Sequence, residues 1–178
     1  DPEWTVATVV ELCKKRLPEN MGIPADQIQV LTPTRKGPSG TMNLNRCLQE
    51  ALNPKTPDKR EILWGERLFR EGDRIMQTRN DYDVVWEKAD GTVGTGMFNG
   101  DVGKITQIDP SGEWLSVDFD GRSALYGVEQ LSELDLAYAQ TVHKAQGSEY
   151  RAVVLAAMPA AQSLMVRGVL YTALTRAR

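Results

Sequence analysis

Two short uncharged runs constrain this chain most: Ile28-Gln29-Val30-Leu31-Thr32 and Val153-Val154-Leu155-Ala156. Runs this short, with no period-2 alternation, read as buried strands of an α/β unit. Helical periodicity accompanies them. Asp1 can cap a helix with Pro2 at its first position, and Val6, Val9, Val10, Cys13 and Leu17 recur at helical spacing. The stretch Pro18 to Pro24 reads as a break, and Pro33 to Gly40 as a polar turn-forming loop. Leu44, Cys47, Leu48 and Ala51 suit a second helix stopped near Asn53-Pro54. Further on, Leu134 to Ala139 reads as a strand, and Leu164, Gly168, Leu170, Ala173 and Leu174 fit a closing helix.

Between these stretches, residues 57–133 follow another rule. Arg74 to Thr78 and Lys104 to Ile108 read as strands, and Asp109-Pro110-Ser111-Gly112 as a hairpin turn. Leu115, Val117 and Phe119 alternate with Ser116, Asp118 and Asp120, so one face is buried. Asp120-Gly121 is a second hairpin signal. The segment reads as a small β-barrel, with Thr92 to Gly96 as a mobile loop because it holds two glycines and no large apolar residue. An α/β unit, a β insert and more α/β imply one domain interrupted by another. The chain stops at Arg176-Ala177-Arg178, where an α/β unit would want another strand, so a piece of something longer is expected.

Composition excludes several classes. A length of 178 residues, 41% hydrophobic and 25% charged, is globular and needs no disulfide or metal staple. The net charge of -3 excludes binding of nucleic acid through bulk positive charge, so any such contact uses a local set of donors. No apolar run approaches the ~20 residues that span a bilayer. Asp1-Pro2-Glu3 does not open a signal peptide, and Cys13 and Cys47 form neither a metal cluster nor a redox pair, so a cytoplasmic setting without membrane is expected.

No Walker A loop is present, since Gly37-Pro38-Ser39-Gly40 lacks the closing Lys-Ser/Thr. No paired carboxylates, Ser/His/Asp arrangement or metal-ligand set stands out. Three segments can carry chemistry. Thr141-Val-His-Lys-Ala-Gln-Gly-Ser-Glu-Tyr150 places hydroxyls, His143, Gln146, Gly147 and Glu149 between apolar strands. Hydroxyls and amides at a helix start suit a phosphate, and a solvated loop with Thr141 as a helix cap reads equally well. Tyr171 to Arg178 places Arg176 beyond an apolar helix, where it suits either a phosphate or the helix C-terminus. Leu31 to Pro38 sets Arg35 and Lys36 in a loop after a strand, where α/β sheets place ligands; an ordinary solvated loop would look the same.

In this order the segments resemble the C-terminal half of superfamily-1 DNA helicases, above all the RecD-like group, the alpha subunit of exodeoxyribonuclease V and its stand-alone relatives. Val30 to Gly37 with Leu52-Asn53-Pro54 is similar to motif IV, Thr141 to Tyr150 to motif V, and Leu170 to Ala177 to motif VI. Gly72 to Tyr82 and Phe98 to Gly103 resemble the family's barrel insert. The resemblance implies a discontinuous RecA-like motor domain over 1–63 and 134–178, called 2A, truncated at its C-terminus. A Src-homology-3-like barrel over 64–133, called 2B, would interrupt it. ATP would bind between 2A and a first RecA-like domain, which would carry Walker A and B and hold most of the Mg2+. The intact protein would be an ATP-dependent helicase moving 5′ to 3′ on single-stranded DNA and unwinding duplex in recombination and repair. The fragment alone would be inactive.

The resemblance also implies roles. Arg176 would be the motif VI arginine that reaches the γ-phosphate, an interaction that can be worth ~10³-fold or more in phosphoryl transfer. Arg35 would supply a second cation, a role that Lys36 could also fill; Lys36 is otherwise set with the DNA contacts. Gly147 and Glu149 would lie near the nucleotide, with Gln146 coupling the two sites. Thr141 and His143 would hold DNA without reading its sequence. Implied partners are single-stranded DNA, single/double-strand junctions, the first motor domain and other exodeoxyribonuclease V subunits. One departure is internal: Val84 to Met97 lengthens the barrel between Tyr82 and Phe98, where only a few residues are expected. Two other functions compete. A stand-alone nucleic-acid-binding or adaptor module would use the barrel, and a nuclease would need a carboxylate cluster that the sequence lacks.

Overall fold

The computed structural model of the chain describes residues 1–157. The expected closing helix through Leu164 to Leu174, and Arg176 with its motif, lie outside the described residues. The helices are α1 (Pro2–Glu11), α2 (Leu17–Met21) and α3 (Thr41–Leu52). The strands run β1 (Ile28–Thr32), β2 (Glu61–Trp64), β3 (Arg67–Arg70), β4 (Arg74–Gln77), β5 (Asp81–Glu87), β6 (Val93–Met97), β7 (Val102–Ile108), β8 (Trp114–Phe119), β9 (Arg122–Gly127), β10 (Leu134–Leu136), β11 (Ala139–Thr141) and β12 (Ala152–Leu155). The chain folds as two compact units. One takes Asp1–Pro54 and the chain from Tyr138, the other Lys55–Ala137.

The first unit is α/β. Asp1 accepts a hydrogen bond from the Glu3 N–H at 3.0 Å, and Pro2 follows it, as the cap signal predicts. Pro18 does not break the helix. A π-helical segment, Leu12–Arg16, precedes it, and the Leu17 N–H bonds back to Leu12 O. The wider turn accommodates a residue with no N–H to give, so helix continues to Met21. It ends at Gly22, left-handed at φ 62, whose N–H donates to Pro18 O at 3.1 Å.

The sheet of this unit is parallel and ordered β11-β1-β12. All five residues of β1 are buried, which is what an uncharged central strand predicts. Among the described residues β11 is an edge strand, and α3 holds it: Asn45 donates to Ala139 O at 3.0 Å and accepts from Ala139 N at 2.7 Å. One buried carboxamide thereby satisfies both backbone groups that an edge residue would otherwise orphan.

The second unit is the β-barrel domain, a seven-stranded antiparallel sheet ordered β10-β4-β7-β8-β9-β5-β6 with the hairpin β2-β3. Phe69, Ile75, Met97, Ile108, Leu115, Val117, Phe119 and Tyr126 are fully buried in its core. Asp120 and Gly121, both at positive φ, make the tight turn between β8 and β9. Burial pushes the Tyr126 hydroxyl pKa up, aided by the Glu133 charge. That hydroxyl donates to Gln77 at 2.9 Å, and Gln77 donates to Glu133 at 2.8 Å.

Three further expectations are corrected. Thr92 to Gly96 is not a mobile loop, because Val93–Met97 is strand β6. Gly94 is there for packing: a Cβ would sit 2.2 Å from the Trp86 ring. The inserted unit spans Lys55–Ala137 and not 64–133, because the β2-β3 hairpin sends Ile62 and Phe69 into the barrel core. The single strand expected over Leu134 to Ala139 is two. β10 pairs with β4 in the barrel, whereas β11 pairs with β1 in the parallel sheet.

Candidate functional site

Parallel β1 and β11 end level with each other, with Thr32 opposite Thr141. The loops that leave them therefore start side by side at the carboxyl ends of the strands, where open α/β sheets bind ligands. One loop carries Arg35 and Lys36. The other carries His143, Gln146, Gly147 and Glu149, beginning at Thr141. Sequence reading singled out both segments as candidates; the register starts their loops at neighbouring strand ends. Arg176 lies outside the described residues.

The first loop is tied to its neighbours at both ends. The Thr32 hydroxyl donates to Ser39 O at 2.8 Å, and the Thr34 hydroxyl donates to Lys36 O at 3.2 Å. The N–H groups of Thr41 and Met42 donate to Thr34 O and Arg35 O at 3.1 and 3.2 Å. The first turn of α3 is thus bonded to the loop's own carbonyls. Gly40 makes this approach possible. A Cβ there would lie 2.4 Å from Lys36 O and 2.6 Å from Arg35 O. Gly37 stands at φ +88 with open space around it. Arg35 and Lys36 are both exposed. Sequence reading missed Gly40 and Asn45. The signal for Gly40 was its place directly before a helix, where a side-chain cap is usual.

The second loop opens when the Val142 N–H donates to Thr32 O at 3.1 Å. No helix starts at Thr141, so neither a helix cap nor a helix-terminal phosphate site forms there. The backbone instead makes overlapping turns: Ala145 N–H to Thr141 O at 3.2 Å, Gln146 N–H to His143 O at 3.3 Å, and Ser148 N–H to Ala145 O at 3.2 Å. The Thr141 hydroxyl accepts from the Lys144 N–H at 3.3 Å. Gly147, left-handed at φ 84, turns the chain out of helical geometry. Val142 and Ala145 are buried against Leu31, with Tyr150, Val153 and Leu155 packed around them. These apolar anchors leave His143, Gln146, Gly147 and Glu149 exposed, with Thr141 half-buried.

The donor set suits a polyanion: two exposed cations on one loop, and hydroxyl, imidazole and carboxamide groups on the other. Among the described residues, no group of three or more His, Cys, Asp or Glu side chains could hold a metal ion. Among them also, no helix is long and apolar enough to cross a membrane.

On the barrel, the two segments that resemble the family insert are bonded to each other. The Asn99 N–H donates to the Asn80 side chain at 2.9 Å, and the Gly100 N–H to Gln77 O at 2.8 Å. Beside them Tyr82 and Phe98 form an exposed edge-to-face pair, with ring centroids 5.8 Å apart.

Residues 44–119 match the family described as the ATP-dependent RecD-like DNA helicase SH3 domain, and residues 136–178 match the UvrD-like helicase C-terminal domain. The ATP-dependent RecD2 DNA helicase of Deinococcus radiodurans is 42% identical over 151 residues, covering 85% of this chain and 19% of that protein. The RecBCD enzyme subunit RecD of Mycolicibacterium smegmatis is 30% identical over 86% of this chain and 24% of its own length. The chain thus spans between 19% and 24% of the length of these two relatives. In fold it is similar to Bacteroides Pif1 bound to single-stranded DNA, with a TM-score of 0.55 at 16% identity, covering 96% of this chain and 42% of that one. The Pif1 helicase complex with ADP-AlF3 and single-stranded DNA gives a TM-score of 0.55 at 15% identity over 97% of this chain and 42% of that one.

Proposed function

The chain belongs to the RecD-like group of superfamily-1 helicases, and from that premise we propose that it is the second motor domain, with its barrel insert, of an enzyme that hydrolyses ATP to translocate 5′ to 3′ along single-stranded DNA. Duplex unwinding during recombination and repair is the cellular role that fits. Hydrolysis needs a first RecA-like domain outside this sequence, so this chain alone turns over no ATP. Natural partners in this reading are that domain, single-stranded DNA, single/double-strand junctions and, where the parent works in a complex, other exodeoxyribonuclease V subunits.

The observation that carries the reading is the level pairing of Thr32 with Thr141, which sets the two motif-bearing loops side by side. In this reading Arg35, together with Arg176 of motif VI, would supply positive charge to the nucleotide phosphates and stabilise the charge that develops on the transferred phosphoryl group. Gly147 and Glu149 would help hold the nucleotide, and Gln146 would link the two sites. Thr141, His143 and Lys36 hold the DNA backbone without reading its sequence. Mg2+ supplies charge neutralisation at the phosphates when bound, and the first motor domain holds most of it. The turn from Thr141 to Glu149 carries both the DNA contacts and the nucleotide contacts. Val142 and Ala145 anchor that turn to the sheet beside Leu31, so both ends are held from one buried side.

The test separates the two cations of the first loop in the natural full-length protein. Arg35→Ala should cut DNA-stimulated ATP hydrolysis by about 100-fold or more with single-strand affinity nearly unchanged. Lys36→Ala should weaken single-strand binding and reduce its salt dependence by about one counterion. Hydrolysis unaffected by either substitution would remove this loop from the site.

A further inference from the structure

The segment Val84 to Met97, longer than the resemblance to the helicase insert accounts for, is most of a β-hairpin. β5 and β6 pair from Asp81↔Met97 to Glu87↔Val93 with a register shift between Asp81 and Val85, and Asp90 and Gly91 form part of the tip. The hairpin is built, not loose: Trp86 lies over Gly94, with Lys88 and Arg122 each 5.8 Å from its ring. β6 is the last strand of the seven-stranded sheet, so among the described residues nothing pairs with its outer side. The Lys88 N–H donates to Thr92 O at 2.8 Å, which fixes the hydrogen-bonding phase of the ladder. Hydrogen-bonded and non-hydrogen-bonded pairs alternate in an antiparallel ladder, so Val93 and Thr95 turn their N–H and C=O groups outward.

Edge strands of stable proteins are commonly guarded by lysine, proline, bulges or brevity. Val93-Gly94-Thr95-Gly96-Met97 contains neither lysine nor proline, and the register shift between Asp81 and Val85 leaves the pairing from Val85↔Thr95 to Glu87↔Val93 regular. The outward sheet face beside it is apolar at Val85, Val93 and Leu125, which are 56%, 61% and 61% exposed. It is acidic at Asp83 and Glu87, neither of which meets a cation among the described residues. Across Asp81 to Met97 the sequence holds four acids, Asp81, Asp83, Glu87 and Asp90, against one base, Lys88. That balance repels a phosphate backbone. It also opposes a second copy of the chain, which would bring the same acids to the same edge.

We propose that the outer edge of β6 accepts a β-strand from a partner protein, an extended segment with lysine or arginine at alternate positions. The Val93 and Thr95 backbone groups supply the ladder, and Glu87 and Asp83 supply the charge preference. A strand added at the ~4.8 Å interstrand spacing lies ~10 Å from β5. A lysine or arginine stem laid over Val93 spans that gap toward the Glu87 carboxylate. The proposal does not depend on the motor reading.

The probe is a fluorescein-labelled peptide of alternating lysine and valine, compared by anisotropy with its glutamate-for-lysine counterpart on the natural full-length protein. The lysine peptide should bind at least ten times more tightly and should slow amide exchange at Val93 and Thr95. The double variant Asp83→Lys/Glu87→Lys, on an exposed face, should invert the preference between the two peptides. Thr95→Pro should abolish binding, since the lost N–H points outward and proline is tolerated on edges; should it fail to fold, the charge-reversal variant stands alone. Equal binding of the two peptides, no binding of the lysine peptide, or unchanged exchange at Val93 and Thr95 overturns the proposal. So does self-association that the charge reversal abolishes.

Discussion

Gly40 and Gly37 share one loop and answer to different physics, so alanine at each position should act differently. Gly40 has an ordinary extended backbone, φ -75 and ψ 163, so alanine costs nothing in conformation there. It costs in contact, because the added Cβ meets Lys36 O at 2.4 Å and Arg35 O at 2.6 Å, both backbone atoms. Ordinary contact begins near 3.4 Å, so the Arg35–Lys36 segment must move by up to 1.0 Å, the gap between 2.4 and 3.4. A misplacement of about 1 Å in a positioning group can cost on the order of 100-fold in rate. Gly37→Ala meets nothing within 4 Å but must hold φ +88, a strain of about 1–2 kcal/mol that leaves Arg35 in place. DNA-stimulated ATP hydrolysis by the full-length protein should therefore fall about 100-fold for Gly40→Ala and by less than about threefold for Gly37→Ala. Thermal melts should show both variants folded. Full turnover in Gly40→Ala, or equal losses in the two variants, would contradict the claim that this loop's position matters to catalysis.

Asn45→Leu should orphan the Ala139 N–H and C=O that the carboxamide now satisfies, at a cost on the order of 2–5 kcal/mol, and hydrogen exchange at Ala139 should lose its protection. Cys13 is buried and its pKa is pushed up to about 12 by that burial, so a disulfide reagent at pH 8 should leave it unmodified in the folded protein. Because the folded thiol holds its proton to higher pH than the unfolded one, its contribution to stability is complete below about pH 9 and is lost as pH rises toward 12. Replacing Cys13 with alanine should make stability fall less steeply over that window in urea melts, the remaining slope including that of the buried Tyr126 hydroxyl.

The features visible in the sequence were those fixed by neighbours a few residues away. β1 is uncharged because both its faces are buried, and that shows in five letters. Asp120-Gly121 announces its turn because both residues must take positive φ. Leu115, Val117 and Phe119 give away the barrel face by alternation alone. The misreadings share a cause of the opposite kind. Gly94 and Gly96 suggested mobility, whereas the glycine at 94 answers to the Trp86 ring on the facing strand. Pro18 suggested a break, and a preceding π-turn absorbed it. Leu134 to Ala139 has the composition of one strand, but it pairs with β4 at one end and β1 at the other. The site followed the same pattern. Arg35, Lys36, Thr141, His143, Gln146, Gly147 and Glu149 were singled out as candidates from their own segments. That their two loops leave neighbouring strand ends depends on the pairing of Thr32 with Thr141 across the whole barrel insert, which no local pattern encodes.

Arg176 offers the most direct measurement. Single-strand-DNA-stimulated ATP hydrolysis should be followed for the natural full-length protein, for its Arg176→Ala variant and for this chain alone. Rapid hydrolysis by the full-length protein is expected, with turnover abolished in the variant while single-strand binding persists, and with no turnover by this chain. A full-length protein without DNA-stimulated hydrolysis, or an Arg176→Ala variant that loses DNA binding while turning over ATP normally, would contradict the motor reading and the arginine's place in it.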